Sequence, residues 1–312
     1  MVTRGAGSPH EATTVVIGNF DGVHRGHRAV LARARAVAPD RRLVAVTFWP
    51  HPMTVIRPGN APLLLCGLDT RRQLQLDAGC DEVEVVHFIS DTASWSPQEF
   101  VERVIAPLHP QVVVVGRNFR FGHRAAGTVQ TLTELGRTGS SASFAVEVMD
   151  LTGDAGGAAV SSSRIRALLA EGEVAAAAEL LGRSFRYTGV VRRGDQRGRE
   201  LGYPTANIAV EPGFAVPADG VYAGWVTQLG VGTSADGPRW PAAISVGTNP
   251  TFDGVQRRVE SYVLDRDDLE LYDETLVVDF VQRQRGQVKF TGIPALIEQM
   301  AADVELTRSL LS

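Results

Sequence analysis

The sequence predicts two domains of different fold class: an α/β domain with a doubly wound parallel sheet over residues 1–183, and an antiparallel β-barrel with a C-terminal helix over residues 184–312. The chain has 312 residues, which is about two domains' worth. In the first half, short apolar runs alternate with helical patterns, as they do in βα units. In the second half, such runs follow one another between Gly, Pro and Asp residues, which is typical of a barrel or a sandwich.

The α/β half begins with Thr13–Ile17, a β-branched apolar run that predicts a buried strand. Ser96 and Glu99 form a capping box with Pro97 at the first helical position, which predicts a helix through Ile105. The other predicted strands are Arg42–Phe48, Glu82–Phe88, Gln111–Gly116 and Ser143–Val148, and the other predicted helices are His27–Val37, Thr70–Ala78, Val129–Arg137, Ser161–Ala170 and Val174–Leu181.

The barrel half contains five apolar runs of strand length and ends in an amphipathic helix, Pro294–Leu311. No helical pattern separates the runs, so we expect neighbouring strands to pair antiparallel. The predicted strands are Tyr187–Val191, Gly220–Thr227, Trp240–Val246, Arg258–Leu264 and Leu276–Arg283.

Composition narrows the class of protein. Hydrophobic residues make up 44% of the chain, which excludes a disordered protein. No apolar run approaches the ~20 residues of a membrane helix, and residues 1–13 lack the apolar centre of a signal peptide. Cys66 and Cys80 have neither metal-ligand spacing nor a disulfide framework, although one disulfide stays open. We therefore expect a cytoplasmic protein.

The charge pattern points to small-molecule ligands. A formal net charge of −4 argues against general nucleic-acid binding, so neither nucleic acid nor membrane is expected as a partner; the oligomeric state stays open. Lys289 is the only lysine. Any bound phosphate must therefore be held by arginine, histidine, backbone or metal.

The segment Gly18–His27, with the sequence GNFDGVHRGH, lies where the first strand turns into the first helix. The N-terminus of a helix favours phosphate, because free N–H groups and the helix dipole both point at it. Two imidazoles there, His24 and His27, can donate hydrogen bonds to phosphoryl oxygens. Without the three glycines and this context, an HxxH pair would more often be two surface histidines.

Three further segments follow other strands of the α/β half. His51 stands between Pro50 and Pro52, which restrict its backbone; alone it would pass as a surface loop. The segment Val115–Gly122 brings an amide, two arginines and two phenylalanines to one loop, which suits a planar ring with a phosphate, or an ordinary edge loop with core aromatics. Ser161–Arg166 places three hydroxyls and two arginines at a helix start, more than an N-cap needs.

The barrel half carries one compact motif, Gly189–Asn207, in which a loop rich in glycine and arginine leads into Pro-Thr-Ala-Asn. In extended backbone Thr205 and Asn207 face the same side. Their oxygens are hard ligands that suit Mg²⁺ with phosphate. Glu260 starts an apolar strand, either as a solvated carboxylate or as a general base that accepts a hydroxyl proton.

The HxGH segment resembles the signature of the nucleotidyltransferase superfamily, and the whole chain from about Val15 to Leu311 resembles the prokaryotic bifunctional riboflavin kinase/FMN adenylyltransferases, also called FAD synthetases. The motifs that carry the resemblance are, in order, GNFDGVHRGH, TFWPHP, VGRNFRFG, SSSRIR, GDQRGRELGYPTAN, GVYAG, VGTNPTF, RRVE and KF. Trp49, His123, Ser163 and Gln287 differ from residues that are frequent in that family, and Asn118 stands where Asp or Asn occurs.

The resemblance implies two transfers from ATP: a phosphoryl group to riboflavin, giving FMN, and AMP to FMN, giving FAD and pyrophosphate. It implies Mg²⁺ as cofactor, with Thr205 and Asn207 as its ligands, and Glu260, His24 and His27 as catalytic residues. The implied ATP and flavin-phosphate contacts of the adenylyltransferase are Gly18, Phe20, Gly26, His51, Asn118, Arg120, Ser162, Ser163 and Arg164. The implied nucleotide and flavin contacts of the kinase are Gly189, Gly194, Arg197, Gly198 and Arg285.

Three other functions fit parts of the sequence less well. A flavin or nucleotide sensor without catalysis predicts loss of the histidines or of Glu260, and a kinase with a decayed first domain predicts loss of the histidines; all are present. A class I aminoacyl-tRNA synthetase would need a lysine-rich KMSKS loop, and the chain has one lysine.

Overall fold

The computed structural model describes residues 12–139, 142–149, 160–193, 198, 201–230, 237–251 and 254–312. By internal contacts the chain divides into two compact units, Met1–Ser162 and Ser163–Ser312. The sequence-based boundary near Arg183 stays a prediction.

The first unit is built on a five-stranded parallel sheet with the order β3-β2-β1-β4-β5. This confirms the predicted doubly wound α/β class. Its strands are β1 Thr13–Ile17, β2 Arg42–Trp49, β3 Glu82–His87, β4 Pro110–Gly116 and β5 Ala145–Met149. Its helices are α1 Arg25–Val37, α2 Pro52–Ile56, α3 Leu68–Asp77, α4 Ser90–Ser94, α5 Pro97–Phe100 and α6 Val129–Thr138; α7 Ser162–Glu171 begins at its last residue.

Two apolar clusters cover the two faces of this sheet. The buried strand residues Val15, Val44 and Val113 belong to one cluster, and Val16 and Ala45 belong to the other. Since successive side chains of a strand point to opposite faces, strands that are buried on both sides read as continuous apolar runs. The sheet order makes the carboxyl ends of β1 and β4 neighbours, and ligands bind at this edge in doubly wound folds.

The second unit contains a closed six-stranded antiparallel barrel with the order β10-β7-β6-β11-β8-β9. This confirms a barrel rather than a sandwich. Its interior is lined by residues such as Val191, Ile208, Val246 and Val259, which alternate with less buried residues. The strands are β6 Phe185–Arg192, β7 Thr205–Ala209, β8 Gly220–Gln228, β9 Arg239–Thr251, β10 Gly254–Val263 and β11 Thr275–Arg285; α8 Val174–Leu181 precedes them and α9 Ile293–Leu311 follows them.

Helices α7 and α8 belong to this second unit beyond Ser162. The amide of Ala218 donates to the carbonyl of Leu169 over 2.8 Å, and Nη1 of Arg283 donates to the carbonyl of Glu171 over 3.0 Å. These bonds attach α7 to the barrel, and α8 packs on β6 and β11. The division by contacts therefore falls before α7 rather than after α8.

Candidate functional sites

The turn between β1 and α1 is held by an imidazole cap. His24 is the N-cap residue of α1, and its Nδ1 accepts a hydrogen bond from the backbone N–H of His27 over 3.3 Å. A Cβ at Gly26 would lie 3.2 Å from the His24 ring, a tight contact that the ring would have to shift to relieve. The cap explains why α1 begins at Arg25 instead of the predicted His27: a side-chain acceptor on His24 satisfies an N–H of the first turn.

The rings of the two histidines of this turn are in direct contact. The His24 and His27 rings stack with their centroids 3.6 Å apart. The Phe20 and His27 rings meet edge to face, with their centroids 5.2 Å apart. Burial, His24 and the positive charge of Arg71 together hold the pKa of His27 well below its usual 6.5. His27 is therefore neutral at physiological pH, and a neutral ring still donates one N–H. His24 is buried, so the reading of the pair as two surface histidines does not hold.

His51 lies at the same edge of the sheet, after β2. Its Nδ1 accepts the N–H of Met53 over 3.2 Å and caps α2, and its Nε2 lies 3.5 Å from Nδ2 of Asn19. The hydroxyl of Thr47 donates to the carbonyl of Asn19 over 3.0 Å. His51 is 8% exposed, so the alternative of a surface loop does not hold, and its contact with a ligand stays a prediction.

The loop after β4 separates its polar residues from its aromatic ones. Asn118 and Arg120 are exposed, whereas Phe121 is buried in the core and stacks on Phe119 at 5.3 Å. The alternative that the aromatics are core residues therefore holds for Phe121. Arg117 of this loop is exposed as well, and contact of Asn118 and Arg120 with a ligand stays a prediction.

Ser162 joins the helix start of α7 to the first turn. Its hydroxyl donates to the backbone carbonyl of Asp21 over 2.8 Å. Ser163 and Arg164 are exposed in the first turn of α7. The predicted contribution of Ser163 and Arg164 to phosphate binding stays a prediction.

On the barrel, the predicted kinase residues lie on paired strands. Asn207 of β7 stands directly opposite Glu260 of β10, and Glu260 is opposite Ser245 of β9. Nδ2 of Asn207 donates to the carbonyl of Thr205 over 3.1 Å and lies 3.4 Å from Oγ1 of Thr205. The amide nitrogen is used in these contacts, which leaves Oδ1 of Asn207 as an acceptor beside the Thr205 hydroxyl. Directly opposite residues share one face of a sheet, so Glu260 is the carboxylate next to this pair.

A pocket opens beside this pair and is lined by Gly198, Thr205, Asn207, Arg266 and Tyr272, among others. A Cβ on Gly198 would lie 2.5 Å from the carbonyl oxygen of Tyr203, so the loop passes this point only as glycine. Arg266 and Tyr272 were not predicted, because the segment between β10 and β11 carries no motif of its own.

The remaining predicted kinase contacts have different surroundings. A Cβ on Gly189 would lie 2.5 Å from the Ile208 side chain, so this glycine has a packing reason. Arg285 forms a two-pronged ion pair with Asp303 of α9 and lies over Phe290, so its guanidinium ties β11 to the last helix. Its role in ligand binding stays a prediction. Gly194 and Arg197 lie outside the described residues.

Metal-ligand clusters, disulfides and membrane-spanning helices are all absent from the described part of the chain. Within the described ranges there is no group of three or more His, Cys, Asp or Glu side chains that could hold a metal ion. Cys66 and Cys80 are both free and buried, so the single disulfide that the sequence left open is not formed. Among the helices of the described part, none is long and apolar enough to cross a membrane.

Sequence reasoning also missed Arg71. It lies in the polar helix α3, where an arginine reads as part of a solvated face, yet its side chain is fully buried. It pairs with Asp21 of the GNFDG segment. No periodic signal in the sequence distinguishes it from its neighbour Arg72.

Comparison with known proteins matches a different family model to each half of the chain. A family model described as FAD synthetase matches residues 7–164, and one described as riboflavin kinase matches residues 181–311. Relatives named bifunctional riboflavin kinase/FMN adenylyltransferase match over most of their length. The one from Listeria monocytogenes is 33% identical over 96% of this chain and 92% of its own. The one from Pseudomonas fluorescens is 35% identical over 96% of this chain and 94% of its own.

A solved structure of similar architecture comes from Streptococcus pneumoniae and is described as a macrolide-efflux protein. It is 31% identical, its TM-score is 0.82, and the match covers 97% of this chain and 95% of that one. The family models and the curated relatives agree with one another on a different activity. The similarity to the pneumococcal protein therefore supports the fold.

Proposed function

This chain belongs to the bifunctional riboflavin kinase/FMN adenylyltransferase family and carries both activities, and we propose that its first unit transfers AMP from ATP to FMN at the stacked pair His24 and His27. The observation that carries this assignment is the position of both rings at the N-terminus of α1. A helix N-terminus with imidazole donors suits the charge of a polyphosphate.

In this transfer an FMN phosphate oxygen attacks the α-phosphorus of ATP, the bond to the β-phosphate oxygen breaks, and pyrophosphate leaves. The protein supplies no nucleophile; it positions both phosphates and neutralises charge. Because Nδ1 of His24 accepts the His27 N–H, the proton of a neutral His24 ring is on Nε2, which can donate to a phosphoryl oxygen. Asn118 and Arg120 are exposed after the adjacent strand β4 and complete the edge.

The test is His27→Ala. Loss of a donor to developing phosphoryl charge typically costs ~10²–10³ in rate, so FAD formation from supplied FMN should fall by that factor while FMN formation from riboflavin continues. His109→Asn is the matched control, because His109 precedes β4 at the opposite edge of the sheet. Both products are read by chromatography. Equal loss of FMN and FAD formation would contradict separate sites.

For the second unit, Glu260 is the proposed general base of the kinase, and Thr205 and Asn207 are the proposed metal and phosphate ligands. The base accepts the proton of the riboflavin 5′-hydroxyl as its oxygen attacks the γ-phosphorus and ADP leaves. The register that sets Glu260 directly opposite Asn207 supports a base next to the bound phosphate.

The donor set fits Mg²⁺. Thr205 and Asn207 offer two neutral oxygens on one face, and Mg²⁺ in nucleotide sites is held by one or two protein ligands together with phosphates and water. Mg²⁺ would neutralise phosphate charge during transfer. With one lysine in the chain, charge neutralisation by metal and arginine is the available route.

Two substitutions separate these roles. Glu260→Gln keeps the shape of the side chain but accepts no proton at neutral pH, so FMN formation should fall by roughly 10²-fold with little change in ATP affinity. Asn207→Ala removes a hard ligand, so it should weaken Mg²⁺–ATP binding as well as turnover. Calorimetry measures nucleotide affinity, and Glu211→Gln, an exposed carboxylate after β7, is the control. Near-normal kinase turnover in Glu260→Gln would assign the base elsewhere.

A further inference from the structure

The turn that carries His24 and His27 contains residues with unfavourable backbone φ angles. Phe20 and Val23 both adopt positive φ angles, of 49° and 38°, on either side of Asp21 and Gly22. For a β-branched residue such as Val23 this region is a strained one. Such conformations persist only where the surroundings enforce them, and they cluster at functional sites.

Asp21 is the residue that fixes this turn from within. Its side chain is 2% exposed, and its two carboxylate oxygens accept the backbone N–H of Leu65 over 3.0 and 3.2 Å. Oδ1 also faces Nη2 of Arg71 at 3.4 Å. A buried carboxylate needs both charge and hydrogen-bond partners, and here they come from outside the turn.

Arg71 connects that carboxylate to a second loop of the site. It is fully buried, and its Nη1 donates to the carbonyl of Phe48 over 3.2 Å while the guanidinium lies 5.4 Å from the Trp49 ring centre. Phe48 and Trp49 end β2 and lead into His51. One side chain from α3 thus contacts both the turn after β1 and the end of β2.

Stability alone does not explain this arginine. A buried ion pair is often no more stabilising than apolar residues of the same volume. Nε of Arg71 is buried and has no hydrogen-bond partner within the described ranges, so the side chain is not placed to satisfy all its donors. Its two Nη contacts hold the turn after β1 and the end of β2 at a fixed distance from each other.

We propose that Arg71, through Asp21, is a positioning residue of the adenylyl-transfer site that fixes the HxGH turn against the loop after β2. The proposal rests on the proposed role of His24 and His27. The charge of Arg71 also contributes to the low pKa of His27, which places the guanidinium within electrostatic reach of the reacting edge. Arg71 itself touches no substrate in this assignment; it acts through the two loops.

The test compares Arg71→Met with Arg72→Met, the exposed neighbour on the same helix. Misplacement of catalytic groups by about 1 Å can cost ~10²-fold in rate, so Arg71→Met should lower kcat for FAD formation by about that factor with little change in KM for ATP. Because riboflavin phosphorylation belongs to the second unit, it does not report on the folding of the first unit, so the urea unfolding midpoint of each variant is measured alongside. Arg71→Lys keeps the charge but lacks the two Nη groups of the guanidinium, so it should recover part of the lost kcat.

Each outcome decides the proposal. Wild-type kcat for FAD formation in Arg71→Met overturns it, and so does a rise in KM alone. If Arg71→Met lowers the unfolding midpoint of the first unit, the neutral pair Asp21→Asn/Arg71→Gln is measured instead: a lower kcat for FAD formation in the folded variant supports the proposal, and undiminished FAD formation overturns it. If His27→Ala leaves FAD formation unchanged, the assignment of the site itself fails, independently of Arg71.

Discussion

At the scale of single residues, the surroundings of His27 disfavour its charged form. Its burial, the stacked His24 ring and the nearby Arg71 all disfavour the imidazolium form, and together they hold its pKa well below 6.5. A neutral donor at a phosphate site avoids a fixed positive charge that would also hold the product pyrophosphate. Protonation is therefore not a prerequisite for the role proposed for His27.

The lowered pKa of His27 predicts a pH dependence of stability. Below pH 6.5 the unfolded chain takes up a proton at this residue that the folded protein does not, so stability should fall as the pH drops below 6.5. Between pH 7.5 and 5.5 the contribution is at most about 1.4 kcal/mol, and it should vanish in His27→Gln. Urea unfolding at both pH values measures it, with His109→Asn as the control.

An NMR titration of labelled histidines gives the same answer directly. We expect the His27 resonance to titrate with a midpoint below 6.5. A His27 midpoint at or above 6.5 would contradict both the structure's account of this ring and the stability prediction.

At the scale of elements, the sequence predicts regular strands well and capped turns poorly. The predicted Thr13–Ile17 and Val174–Leu181 agree with the structure to the residue. The short helices α2 and α4 escaped prediction because five residues are too few for a periodic pattern. Strand β7 escaped because the Pro-Thr-Ala-Asn motif reads as a ligand loop, although the predicted shared orientation of Thr205 and Asn207 is confirmed.

The residues of the candidate site also differ in how well the sequence predicts them. The motif residues His24, His27 and Asn207 could be proposed because their motifs are local in sequence, and their roles stay proposals. Arg71 could not, because its burial depends on how α3 lies against two strand ends, which no local pattern encodes. The helix after Ser96 begins at the predicted capping box, and its continuation over Val101–Ile105 as a π-helix also has no sequence signal that we recognise.

At the scale of the whole molecule, βα alternation was enough to predict a parallel sheet, since parallel strands need crossover helices. The strand pattern of the second unit fits a barrel or a sandwich, and the family resemblance selects the barrel, which the structure confirms. The two helices between the units were assigned to the first domain from sequence order alone. Ser162 at the start of α7 bonds to Asp21 of the first unit, whereas Leu169, Glu171 and α8 contact the barrel unit.

This packing yields a prediction about fragments. The boundary near Arg183 predicts that residues 184–312 fold and phosphorylate riboflavin, because they contain Thr205, Asn207 and Glu260. A fragment of residues 163–312 should be more stable, since α7 and α8 bury Leu169, Leu180 and other apolar side chains in this unit. Each such side chain is worth roughly 1.5–3 kcal/mol when buried, so the difference should amount to several kcal/mol.

Urea unfolding of the two fragments, with riboflavin kinase activity measured alongside, decides between the boundaries. Substituting Leu169→Ala in the longer fragment should remove about 2–5 kcal/mol of the difference, because the side chain is 1% exposed. Glu179→Ala, exposed on α8, is the control. Equal midpoints for both fragments would mean that α7 and α8 contribute nothing to the barrel, and the boundary near Arg183 would then be the better description of the kinase domain.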